Sequence, residues 1–138
     1  MSGGWVTLDG NRVSDWLRAR IVKPRIEAWM GPWVGMGYET ERGLVGAVVF
    51  DSFTPFECAL HVALAGPIPR PVVREVFRYP FVTVGLKRLS CSVAESNLMS
   101  LRLIEKWGFR REGCKRLGLG DENELMYGLL REECRFHG

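Results

Sequence analysis

The 138-residue chain falls within the usual scale of roughly 100 to 200 residues per domain, so residues 1–138 are read as a single domain around one core. With 46% hydrophobic, 11% aromatic and 25% charged residues, its composition is that of a globular protein and excludes wholesale disorder. A net charge of +3 is too small to mark a nucleic-acid binder, and the apolar runs at 44–50 and 58–65 fall far short of the ~20 residues a bilayer span needs. Cys58, Cys91, Cys114 and Cys134 form no C-x-x-C pair and have no set of nearby histidines, which argues against a metal site. With no signal-peptide pattern at the start, reduced thiols and a cytoplasmic location are expected.

Val13, Trp16, Leu17 and Ile21 recur at helical spacing behind Asn11, a good capping residue, and predict an amphipathic helix that stops before Pro24. Ile26, Trp29, Met30 and Trp33 repeat the pattern in a segment closed by Gly31 and Pro32, so 11–33 is expected as a helical hairpin with core tryptophans. From 35 to 65, β-branched and aromatic residues broken by Glu41-Arg42-Gly43 and Ser52-Phe53-Thr54-Pro55 predict three strands in an antiparallel meander. Beyond Pro67, Pro69 and Pro71, the spacing of Val72, Val73, Val76, Phe77 and Val84 predicts a helix that Pro80 kinks or ends at Tyr79.

Residues 89–94 predict a buried strand, followed by Asn97 as the N-cap of a helix with Ser100, Leu103, Ile104 and Trp107 on one face. Gly108 sits where a helix-ending glycine belongs. Residues 110–119 and 125–130 predict two strands joined through Gly120-Asp121-Glu122-Asn123, completing an α+β layer architecture with a mixed sheet. Between 102 and 116, six cations (Arg102, Lys106, Arg110, Arg111, Lys115 and Arg116) accompany only Glu105 and Glu112. Two readings stand: a solvated helix end, where cations are favoured, or a site for a phosphate-bearing cofactor.

The run Tyr79-Pro-Phe-Val-Thr-Val-Gly-Leu-Lys-Arg-Leu, then Val93, Asn97, Ser100, Glu105, Lys106, Gly108, Phe109, Glu112 and Gly113, resembles the GNAT superfamily of N-acetyltransferases. It is most similar to the branch that acetylates protein N-termini, including those of ribosomal proteins. The likeness runs without a gap over 79–113, about a quarter of the chain. The ending Tyr127-Gly-Leu-Leu-Arg-Glu-Glu-Cys-Arg resembles short members found in bacteriophages, for which the compartment would be a host cytoplasm.

The resemblance implies a GNAT fold: a mixed, mostly antiparallel sheet with splayed central strands and flanking helices. It implies that acetyl-CoA lies between the strands at 57–65 and 89–94, with Leu64, Ala65, Gly66, Asn97 and Ser100 among its contacts. An unpaired strand edge suits a ligand that completes its hydrogen bonds. Plain capping is the alternative role for Asn97 and Ser100. The family's pyrophosphate loop carries glycines where Pro67 and Pro69 stand here, and a proline offers no N–H to a phosphate. Arg70 and Arg74 are the candidates to replace the missing amides with charge.

The implied reaction is direct attack of a neutral amine on the thioester, with a strand-four amide stabilising the oxyanion and no covalent enzyme intermediate. Ile104 occupies the position of a tyrosine that protonates the departing thiolate in other branches, which leaves Ser100 as a donor. Glu57, His61 and Glu95 are the candidate bases; a histidine merely packed on a strand is the alternative for His61. Cys91 and Cys134 read as structural thiols. The expected acceptor is a primary amine, either a protein N-terminus or a small molecule, with no metal, nucleic-acid or membrane partner and a monomer or homodimer as the working form. A non-catalytic GNAT-fold module that binds a protein partner is the alternative.

Overall fold

A computed structural model describes residues 3–21, 23 and 25–136. Its single sheet runs in the order β1 (Trp5–Thr7), β2 (Val34–Thr40), β3 (Gly43–Asp51), β4 (Glu57–Leu64), β5 (Arg88–Ala94), β7 (Glu124–Leu130) and β6 (Arg110–Lys115). Neighbouring strands are antiparallel except β4 and β5, which run parallel. Helix α1 (Gly10–Arg20) covers one face; α2 (Arg70–Arg78) and α3 (Leu98–Lys106) cover the other. The architecture is the expected α+β GNAT fold.

The two-residue period of β3 divides the core. Ala47 and Val49 meet Val13 and Leu17 of α1, while Val48 and Phe50 join Leu60, Val62, Phe77, Leu89 and Ile104 beneath α2 and α3. Each large apolar side chain so buried stabilises the fold by about 1.5–3 kcal/mol. Helix α1 lies close to β2 because Gly37 has no side chain: a Cβ there would stand 2.9 Å from Leu44 and 3.0 Å from Val13. Among the described residues, no helix is long and apolar enough to cross a membrane.

Several local expectations need correction. The carboxylate of Asp9, not Asn11, caps α1 by accepting from the Arg12 N–H. No helix forms over 25–33, so there is no helical hairpin; Pro24 lies outside the described residues. The carbonyls of Ile26 and Glu27 instead accept from the Arg18 guanidinium at 2.9 and 2.7 Å, and Gly31 takes φ +73°. Trp16, Trp29 and Trp33 still pack on the α1 core.

Tyr79–Val84 widens into a π-helical turn after α2, because Pro80 has no N–H to continue the α-helical ladder; Gly85, at φ +83°, ends it. Strand β6 ends at Lys115, short of the expected 119, whereas β7 begins one residue earlier than expected, at Glu124, and β1 has no counterpart in the sequence-based expectation. Asn97 does cap α3, accepting from the Ser100 N–H at 3.2 Å, and Gly108 follows at φ +101°.

Candidate functional site

Strands β4 and β5 pair only at Glu57–Arg88, Cys58–Leu89 and Ala59–Ser90. Beyond these pairs they separate, while β5 stays paired with β7 as far as Ala94 and β4 with β3 as far as Leu64. The divergence leaves a gap whose inner part, about 80 Å³, is lined by Leu60, His61, Cys91, Val93, Asn97 and Ser100 among others. Its outer part, about 310 Å³, reaches Leu64, Ser96 and Met99. Facing strand edges without a partner leave backbone polar groups that a bound chain-like ligand can satisfy.

Alternation along β4 sends Cys58, Leu60 and Val62 into the α2–α3 core and His61 and Ala63 toward α1. His61 is held firmly on that side. Its Nε2 lies 2.8 Å from Asp51 Oδ1, and its ring is 5.0 Å from that of Trp29. Trp29 is fixed in turn by its Nε1–H donating to Ser14 Oγ at 2.8 Å. Asp51 is only 3% exposed and accepts the Met30 N–H on Oδ2 at 3.0 Å. Burial raises the Asp51 carboxyl, but the hydrogen bonds from His61 and Met30 outweigh it and hold the group below its ordinary range.

The other candidate bases lie elsewhere. Glu57 sits at the closed end, where it accepts from the Ser90 hydroxyl and pairs with Arg88 at 3.4 Å, while Arg88 also holds Glu112 at 2.8 Å. Glu95 is exposed beyond the end of β5. Cys58 and Cys91 are buried in the core, and desolvation pushes both thiols up to about 12, which makes them poor nucleophiles.

At the mouth of the gap, Lys23 spans from the loop after α1 to the β6–β7 turn, 2.7 Å from Asp121 and 2.6 Å from Glu122. Glu122 also accepts from the Ser96 N–H and hydroxyl, and this set of donors, Lys23 first, holds its carboxyl at about 2.

The loop after β4 is poor in donors. The Ala65 N–H is spent on Val45 O at 2.7 Å and two positions are proline, which leaves the N–H groups of Gly66, Ile68 and Arg70. Leu64 reaches both the outer gap and a groove between α2 and α3. Arg70 lines that groove; Arg74 is exposed and lines neither space. The 102–116 cations do not form one patch: Arg110 pairs with Glu133 at 3.0 Å and Lys115 lies 4.0 Å from Glu124, whereas Lys106 faces the groove.

Asp51, Trp29, Lys23 and Glu122 were not foreseen from sequence. Asp51 carried one legible sign, a carboxylate ending an otherwise apolar strand, but its pairing with His61 depends on the β3–β4 register.

No protein-family model matches the chain, and no curated protein matches it. Solved structures do. The spermidine N-acetyltransferase from Vibrio cholerae, in complex with CoA and spermine, superposes with a TM-score of 0.73 at 13% identity, covering 93% of this chain and 96% of that one. A GNAT-family acetyltransferase from Bacillus anthracis gives 0.59 at 25% identity over 72% and 67% of the two chains. The N-acetyltransferase PseH from Campylobacter jejuni gives 0.57 at 16% identity over 72% and 69%. The sheet order, the single parallel pair and the central divergence thus belong to the fold that GNAT acetyltransferases share.

Proposed function

We propose that this chain is an N-acetyltransferase that moves an acetyl group from acetyl-CoA to a primary amine. The observation that carries this reading is the separation of β4 and β5 beyond Ala59 and Ser90, with Asn97, Ser100 and His61 lining the gap. Unpaired edges of two parallel strands fit the amide-bearing arm of a CoA thioester, which can hydrogen-bond as a short strand does. When bound, that thioester supplies an activated acetyl carbonyl and a thiolate leaving group.

The chain's own groups divide the remaining work. An ionised Asp51 can only accept, so His61 donates through Nε2–H and keeps the lone pair on Nδ1. That nitrogen takes the proton of the incoming ammonium. The freed amine can then form the new N–C bond as the C–S bond breaks, with the nitrogen's second proton passing through the Ser100 hydroxyl to the departing thiolate, which leaves as the CoA thiol. Glu57, already satisfied by Ser90 and Arg88, is the weaker candidate for the base.

An amine acceptor is consistent with the spermidine enzyme of the same fold, and a protein N-terminus is the other acceptor the resemblance suggests. Loss of loop amides to Pro67, Pro69 and the Ala65–Val45 bond favours one second reading, a GNAT-fold module that binds a protein partner without turnover. An assay of CoA thiol release against a panel of polyamines and peptide N-termini separates the two. Release that depends on acceptor and is lost in His61→Ala supports transfer; acetyl-CoA binding with no release from any acceptor supports the module.

A further inference from the structure

Lys23 belongs to the strand gap as much as to the clamp at its mouth. It lines both the inner and the outer part, and Ile21 and Ile26, on either side of it in the chain, line the inner part with His61 and Ser100. The chain has three other lysines, Lys87, Lys106 and Lys115, and none of them lines either part. A primary amine, the chemical class of the proposed acceptor, is therefore built into the wall of the gap.

Its partners hold it in check. The ammonium lies 2.7 Å from Asp121 and 2.6 Å from Glu122, and these carboxylates, Asp121 first, keep it protonated by raising its pKa above the ordinary value. The pairs are nonetheless near the surface, with the Asp121 side chain 73% exposed and that of Lys23 36%. Exposed ion pairs contribute little and open readily. The four-carbon stem then lets Nζ swing about a backbone already beside the gap, and a tethered nucleophile meets a bound thioester at high effective concentration.

We propose that Lys23 is a site of self-acetylation: with acetyl-CoA bound and no external amine in the gap, the chain acetylates its own Lys23 Nζ in cis. Self-acetylation rests on the reading of the gap as a thioester site with His61 as base. The Lys23 ammonium gives one proton to His61 Nδ1, and the neutral nitrogen attacks the acetyl carbonyl. The N–C bond forms as the C–S bond breaks, and the nitrogen's second proton passes through Ser100 to the departing thiolate. The products are Nε-acetyl-Lys23 and the CoA thiol, and His61 returns its proton to solvent. The new amide is neutral, so Asp121 and Glu122 lose their shared cation and the clamp over the mouth is released.

The test is mass spectrometry with peptide mapping of the wild-type chain, Asp121→Asn and His61→Ala after incubation with acetyl-CoA alone, beside a parallel incubation with external amines. In the wild type, Lys23 should gain its acetyl group at least about tenfold faster than any other lysine or the N-terminal amine, with a rate constant unchanged on dilution of the protein. Asp121→Asn should react about two- to fivefold faster, because one carboxylate no longer holds the ammonium. His61→Ala should lose the preference for Lys23. Uniform labelling of all four lysines, a rate constant that rises with protein concentration, or transfer to external amines with Lys23 unmodified in both wild type and Asp121→Asn would overturn self-acetylation while leaving the transfer reading intact. No transfer to Lys23 or to any external amine would overturn both.

Discussion

Asp51 and His61 are diagonal neighbours across β3 and β4, on the face that meets α1, and a carboxylate oxygen of one lies 2.8 Å from Nε2 of the other. The register pairs Val49 with His61 and Asp51 with Ala59, so same-face alternation brings the two side chains together. The second carboxylate oxygen is taken by Met30 N–H, which anchors the loop after α1 to the end of β3.

This arrangement makes Asp51→Asn a sharp test. Met30 N–H requires the amide oxygen, so the NH₂ group must face His61 Nε2, which then has to give up its proton to Nδ1. The imidazole keeps its place but loses the lone pair proposed to act as base. Acetyl transfer should fall between about a hundredfold and ten-thousandfold with little change in the acetyl-CoA dissociation constant. Nitrogen NMR of the labelled imidazole should show the tautomer change; wild-type turnover in a folded Asn variant would remove His61 from the chemistry.

Asn97 has two roles to separate. As the α3 cap it should cost about 1 kcal/mol when replaced by alanine. As part of the gap wall it should also weaken acetyl-CoA beyond what that loss explains. A denaturant melt beside a calorimetric titration distinguishes the two, and equal affinity at matched folding would reduce Asn97 to a cap.

The Lys23–Glu122 clamp at the mouth of the gap should depend on acidity and salt. Glu122 is held at about 2 against an ordinary 4.5, so its stabilising contribution is complete above about 4.5 and is lost as pH falls toward 2. Carboxyl-carbon NMR should find Glu122 titrating well below the other glutamates, and about 1 M salt should move it back toward its ordinary range, since the clamp is exposed. An unshifted midpoint at low salt would mean Lys23 does not close over the gap.

Thiol reactivity should follow burial. Cys114 is exposed and should alkylate first, whereas Cys58 and Cys91, with thiols pushed up to about 12, should react only on unfolding. Mass spectrometry after brief alkylation near neutral pH reads this out. Rapid labelling of Cys91 in the native chain would mean that the gap opens further than this structure allows.

The sheet and its helices were largely legible because they rest on local chemistry. Asn97 caps, Gly108 terminates and the alternation in β3 follows a two-residue period, all visible in a short window. The loop at 25–33 misled because Trp29 and Trp33 repeat at helical spacing for a different reason: they pack onto the α1 core while Arg18 and Asp51 satisfy neighbouring backbone groups. At the candidate site, Ser100, His61 and Asn97 could be named from type and spacing. Asp51, Lys23 and Glu122 could not, since each acquires its partner only through strand register or loop path. The three-residue β1 is too short to show a period.

The most direct test of the central claim, that the β4–β5 gap holds a CoA thioester, is calorimetric titration of acetyl-CoA into the wild-type chain and into Ser100→Leu. Leucine keeps α3 helical but fills the gap. The account predicts micromolar binding to the wild type and its loss in the folded variant. No binding to the wild type at millimolar acetyl-CoA, or equal binding by both, would contradict it.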